Sequence, residues 1–170
     1  MTELQQMLEA LKRPEYVHVL LNPLPVYGMM MALLALVLGL ITGNKGAQMV
    51  ALVLMVLVCG SVWPVVEFGE KAAAHLATTL DADGLRWLRL HEQRAEVAAW
   101  AYYVTGVMAL VTLLVKWKLP KFERWLTTLV LVAALTALGF GGWVAHAGGQ
   151  VRHVEFRTGS PPPASAMMKR

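Results

Sequence analysis

Five histidines and a group of acids are the residues of this chain able to do chemistry. The histidines are His18, His75, His91, His146 and His153, and the acids that accompany them are Glu67, Glu70, Glu92, Glu96 and Glu155. Imidazole nitrogen and carboxylate oxygen are the donor types that iron, copper and zinc take from proteins. Imidazole is also an axial ligand of b-type haem, and both groups carry protons. The densest stretch is 139–157, GFGGWVAHAGGQVRHVEFR, where an apolar helix fills with glycines, two histidines, two arginines and a glutamate. Such groups are costly to leave unpaired at the edge of a bilayer, so the stretch reads as one wall of a polar site at a membrane interface.

The spacing excludes several familiar sites. His91 and Glu92 are adjacent, about 100° apart around a helix, whereas Glu92 and Glu96 share a stripe. The pair is not a zinc-protease HExxH, because Ala95 stands where the second histidine belongs. No phosphate loop, CxxC or Ser/His/Asp set is present. The one cysteine, Cys59, lies in an apolar run and reads as a small buried residue. The candidate ligands of a metal ion (Fe, Cu or Zn) or haem b are therefore His18, His91 and His153, accompanied by Glu70 and Glu92. Arg152, Glu155 and Gln150 are expected to orient them. His75, His146 and Glu67 are weaker candidates: Glu67, Lys71 and His75 follow one helix face, and His146 follows Trp143 at a span end.

The elements that position these groups are membrane spans. The chain has 170 residues, 57% hydrophobic and 15% charged, against roughly 45–50% and about 25% in soluble domains. The excess lies in long runs, so the chain reads as all-α, a four-helix transmembrane bundle with spans at about 23–41, 47–66, 97–115 and 126–144. Thr2 and Gln5 form a capping box ahead of Leu4, Met7, Leu8 and Leu11, so 1–15 is expected to be an amphipathic interfacial helix. Asp81 or Asp83 is expected to cap the helix that leads into the third span. Ala133, Ala137 and Gly141 give the fourth span a stripe for close helix approach. Residues 158–170, rich in Pro and Ser, read as a flexible tail. The transmembrane domain occupies 16–157. Four crossings put both termini on one side, with all five histidines; the counts of Lys and Arg do not assign that side. The formal charge of +4 suits anionic lipid headgroups, and no nucleic-acid surface is expected.

The segments HVLLN-x-x-P-x-x-G at 18–28, Gly69-Glu70, His91-Glu92 and GGQVRHVEFR at 148–157 together resemble a family of small bacterial four-span membrane proteins akin to the DUF2231 group. That resemblance implies a four-helix fold in the bacterial inner membrane and brings no established activity. Pro23 stands where the family often has histidine, so no ligand is carried to that position. Three readings stay open: a metal or haem site for redox or electron transfer, with Arg152 or Arg157 near haem propionates; a His/Glu/Arg ion-pair network in a structural or accessory subunit of a complex or homo-oligomer; and proton or small-solute handling. The last is disfavoured because no ionisable residue lies at mid-depth in a span.

Overall fold

In the computed structural model, which describes residues 2–118, 120–157 and 159–163, the chain is helical and has no strand among the described residues. Helix α1 (Glu3–Ala10) opens with the expected capping box: Gln5 N–H donates to Thr2 Oγ1 at 3.3 Å, and Thr2 N–H donates to Gln5 Oε1 at 2.9 Å. None of its residues is buried, and Leu4, Met7 and Leu8 are exposed.

Helix α2 (Pro14–Leu21) leads into a π-helical turn (Leu24–Gly28) and then α3 (Met29–Ile41). The helical path containing the first apolar run is thus Pro14–Ile41, and it begins well before residue 23. Pro23 and Pro25 tolerate a helical φ but remove two N–H donors, and the π-turn absorbs that loss without stopping the helix. The carbonyl of Pro25 accepts the Tyr102 hydroxyl at 3.2 Å inside the bundle.

The other helices are α4 (Lys45–Leu76), α5 (Ala82–Lys118) and α6 (Glu123–Arg152), followed by a 3-10 turn (Val154–Phe156). At about 1.5 Å per residue, the 32 residues of α4 far exceed a hydrocarbon core of roughly 30 Å. The polar stretch between the second and third apolar runs is therefore two rigid helix ends joined by a turn. Asp81 caps α5 by accepting the Gly84 N–H at 2.9 Å.

Four helical paths are long and apolar enough to cross a membrane. They pack in a ring: α4 against α2, α3 and α5, α5 along α6, and α6 back onto α3 and the π-turn. The core holds Met29, Leu36, Leu52, Met55, Tyr102 and Val130, while Ile41, Leu57, Trp63, Leu114 and Trp125 point outward. Ala137 and Gly141 of the expected small-residue stripe are buried, with Ala134 rather than Ala133 completing the face. Thr105, Thr112 and Thr127 are buried as well, each hydroxyl donating to the carbonyl four residues earlier. The expected tail falls partly on 158 and 164–170, which lie outside the described residues.

The end of the bundle away from the histidines closes on one buried cation. The Lys116 side chain is 8% exposed and reaches Glu123 at 3.1 Å and Gln48 Oε1 at 3.3 Å. Gln48 in turn donates to the Gly39 carbonyl at 2.9 Å, and Lys45 reaches Glu123 from the exposed side at 2.9 Å. Removing the carboxylate strands a charge that has little access to water. Glu123→Gln is expected to destabilise the bundle by about 2–4 kcal/mol. Lys45→Gln, on the exposed arm, is expected to cost less than about 1 kcal/mol. Thermal unfolding in detergent followed by circular dichroism measures both.

Candidate functional site

Two of the five histidines meet. His18 on α2 and His91 on α5 come from diagonal members of the ring, and their ring centroids lie 6.5 Å apart with planes at 80°. Each is fixed by the neighbouring helix in the same way. His18 Nδ1 lies 2.9 Å from the Val65 carbonyl of α4, and His91 Nδ1 lies 3.2 Å from the Val144 carbonyl of α6. A carbonyl only accepts, so Nδ1 donates in both rings, and the neutral ring then carries its lone pair on Nε2. Neither Nε2 has a hydrogen-bond partner among the described residues.

The two seats follow from helix geometry. The carbonyl of residue i in an α-helix points along the axis toward residue i+4, so a ring that reaches it must lie over that residue. Here those residues are Gly69 and Gly148. A Cβ on Gly69 would stand 3.0 Å from His18 Cε1 and Nδ1, and one on Gly148 would stand 3.1 Å from His91 Cε1. Each helical hairpin thus pairs one histidine with one seat made of a valine and the glycine four positions on.

A cavity of about 240 Å³ lies toward the membrane interior from the pair. It is lined by both acceptor residues, Val65 and Val144, and by Asn22 and Ala95, each four residues after a histidine of the pair. Tyr102 and Gly141 form its deeper wall.

The remaining candidates lie elsewhere. His153 is exposed, pairs with Glu155 at 3.0 Å and stacks on Phe156. Its neighbour Glu155 is held below the usual carboxylate range by its own backbone N–H, and by His153. Glu92 faces Arg89 at 3.4 Å, Glu67 faces Lys71 at 2.8 Å, and His75 faces Glu15 of α2 at 3.2 Å. Glu70, His146 and Arg152 are exposed. Gln150 is buried, donates weakly to the Phe156 carbonyl at 3.4 Å, and has no partner for Oε1 among the described residues. Among those residues no group of three or more His, Cys, Asp or Glu converges as an ion site.

No protein-family model, curated protein or solved structure matches the chain. The likeness to the DUF2231-related proteins rests on the motifs alone.

Sequence reasoning named His18 and His91 but not their seats. The signal was present: glycine weakens a helix interior, so Gly69 and Gly148 inside long helices call for a packing reason. It also missed Arg157 as a clasp. Arg157 Nε donates to the Gln150 carbonyl and Nη2 to the Val151 carbonyl, both at 2.9 Å, capping α6. Its Nη1 reaches Asp81 Oδ2 at 3.0 Å, so one guanidinium ties the end of α6 to the cap of α5.

Two predictions follow from these seats and this clasp. Gly69→Ala and Gly148→Ala are each expected to cost about 1–3 kcal/mol through overpacking, read by thermal unfolding, and the same change at Gly139, where a Cβ meets nothing, is expected to stabilise by about 0.5–1 kcal/mol. Arg157 holds the Asp81 carboxyl below its ordinary range, with the Gly84 N–H contributing. A depressed carboxyl stabilises the fold above its unfolded pKa and loses that contribution as pH falls through the folded value. The melting temperature of the parent is therefore expected to fall more than that of Asp81→Asn as pH drops from neutral to below the usual carboxylate range.

Proposed function

We propose that His18 and His91 are the two axial ligands of a b-type haem and that the protein is a membrane-embedded one-electron carrier. The observation that carries this reading is the pair of neighbouring imidazoles, each with Nδ1 tied to a helix carbonyl and Nε2 uncommitted. With ring centroids 6.5 Å apart, both rings could reach one metal ion. Zinc and non-haem iron sites draw three or four ligands from protein, whereas a porphyrin supplies four of six and asks the chain for two. The Nδ1–H···O=C bonds supply the outer contact that fixes tautomer and raises ligand basicity. Bound haem would exchange one electron at its iron; the chain's part is to hold both rings, exclude water with the valine and alanine lining, and set the potential.

The setting proposed for this carrier is a bacterial inner membrane, crossed four times with both termini on one side. Protein partners or a second copy would then exchange electrons at the face bearing the histidines.

One observation favours a second reading. The cavity beside the pair is smaller than the roughly 300–1,000 Å³ of most cofactor pockets, so a macrocycle must spread the apolar side chains around it. Without a cofactor, the two histidines are staples that bind helix to helix in a structural or accessory subunit.

Haem titration of detergent-purified protein separates the readings. The parent is expected to bind one haem with a Soret band that shifts on reduction. His18→Asn and His91→Asn keep an N–H for the carbonyl but supply no axial nitrogen, so each is expected to lose the bis-imidazole spectrum while remaining folded. His153→Ala is expected to leave the spectrum unchanged. A parent that binds no haem, with His18→Ala and His91→Ala each less stable than it, supports the staple reading.

A further inference from the structure

A second feature lies on the outside of the bundle, where α5 meets α6. The Arg94 guanidinium is held from two sides by Trp143: Nη1 donates to the Trp143 carbonyl at 3.1 Å, and Cζ lies 4.5 Å from the centre of the Trp143 ring. Arg94 has no carboxylate partner among the described residues, and its Nε is covered without a partner. Arg94 stands just before the third apolar run and Trp143 near the end of the fourth, so the pair sits at headgroup depth. Beyond the tryptophan, toward the middle of the apolar run, Thr136, Gly139, Phe140 and Trp143 line a shallow, open apolar groove on α6. Nothing lies within 4 Å of where a Gly139 side chain would begin, and the Phe140 and Trp143 rings meet edge-on at 6.0 Å.

We infer that this is a binding site for one anionic phospholipid, its phosphate against the outer edge of Arg94 and one acyl chain in the Gly139–Phe140 groove. The charge carries the assignment. An arginine near lipid without a counter-ion is costly, and a phosphate accepts from a guanidinium in the planar geometry the side chain offers. The Trp143 contacts fix the guanidinium in advance, so little rotamer entropy is lost when the phosphate arrives. The groove continues from the cation along the helix axis, the direction an acyl chain takes from its headgroup. Neither the histidine pair nor any haem takes part in this site, although Arg94 stands one helix turn from His91 and its charge is felt there.

Native mass spectrometry of the full chain released from mixed phosphatidylglycerol and phosphatidylcholine nanodiscs tests the inference. The parent is expected to retain one phosphatidylglycerol in preference to phosphatidylcholine. Arg94→Gln keeps a donor for the Trp143 carbonyl but loses the charge, and is expected to weaken that retention about fivefold to tenfold. Gly139→Leu fills the groove from a position open to lipid and is expected to weaken it without lowering thermal stability. Retention of phosphatidylglycerol undiminished in both variants overturns the proposal. So does equal retention of both lipids by the parent, or displacement of the lipid by millimolar inorganic phosphate, which would make the site one for a free anion.

Discussion

A polar group turned inward among packed membrane helices must find its partner in protein, because apolar side chains and lipid tails offer none. Two imidazoles obey that constraint here by taking carbonyls from the neighbouring helix rather than from their own. Each carbonyl belongs to an unbroken helix and already accepts the bond of its own turn, so the ring must approach along the axis. That approach demands a bare Cα four residues on, and glycine supplies it twice, at 69 and 148. The proximity of His18 and His91, the free ring nitrogens and the helix positions around them all follow from this arrangement. The bonds also join α2 to α4 and α5 to α6, so the contacts that orient the rings also hold the ring of helices together.

Where the polar groups sit beyond the lipid, long helices rather than loops carry them. Helices α4 and α5 run past the apolar windows as continuous extensions, and the Arg157–Asp81 clasp ties the end of α6 to the start of α5. Ala73, Trp87, Leu88 and Val151 form a small second core in this tier. The far end closes differently, on buried Lys116 with Glu123 and Gln48. The two ends therefore differ in character: one holds a packed imidazole pair over a cavity, the other a paired cation that seals the bundle.

The fold was largely legible because a span of apolar residues has few alternatives in lipid. The capping box at Thr2 and Gln5, the cap at Asp81, the helix-facing small residues and the four apolar runs all carried local signals. The extent of the helices was less legible: Pro23 and Pro25 read as a beginning, yet their fixed φ is also helical and the chain runs through them. The site was legible in part. His18 and His91 stood in motifs, but so did His153, and periodicity does not say which of three interfacial histidines turns inward. That depends on the ring order of the helices and on which glycine faces which ring, neither of which is written in a single segment. Arg94 with Trp143 escaped notice because a lone arginine beside an apolar run reads as an anchor.

The central proposal is that His18 and His91, with ring planes at 80°, would together hold one haem. Electron paramagnetic resonance of the ferric haem-loaded protein examines that directly. The arrangement predicts a low-spin signal of large g anisotropy, as near-perpendicular axial imidazoles give. A high-spin signal, showing one axial ligand or none, would contradict it.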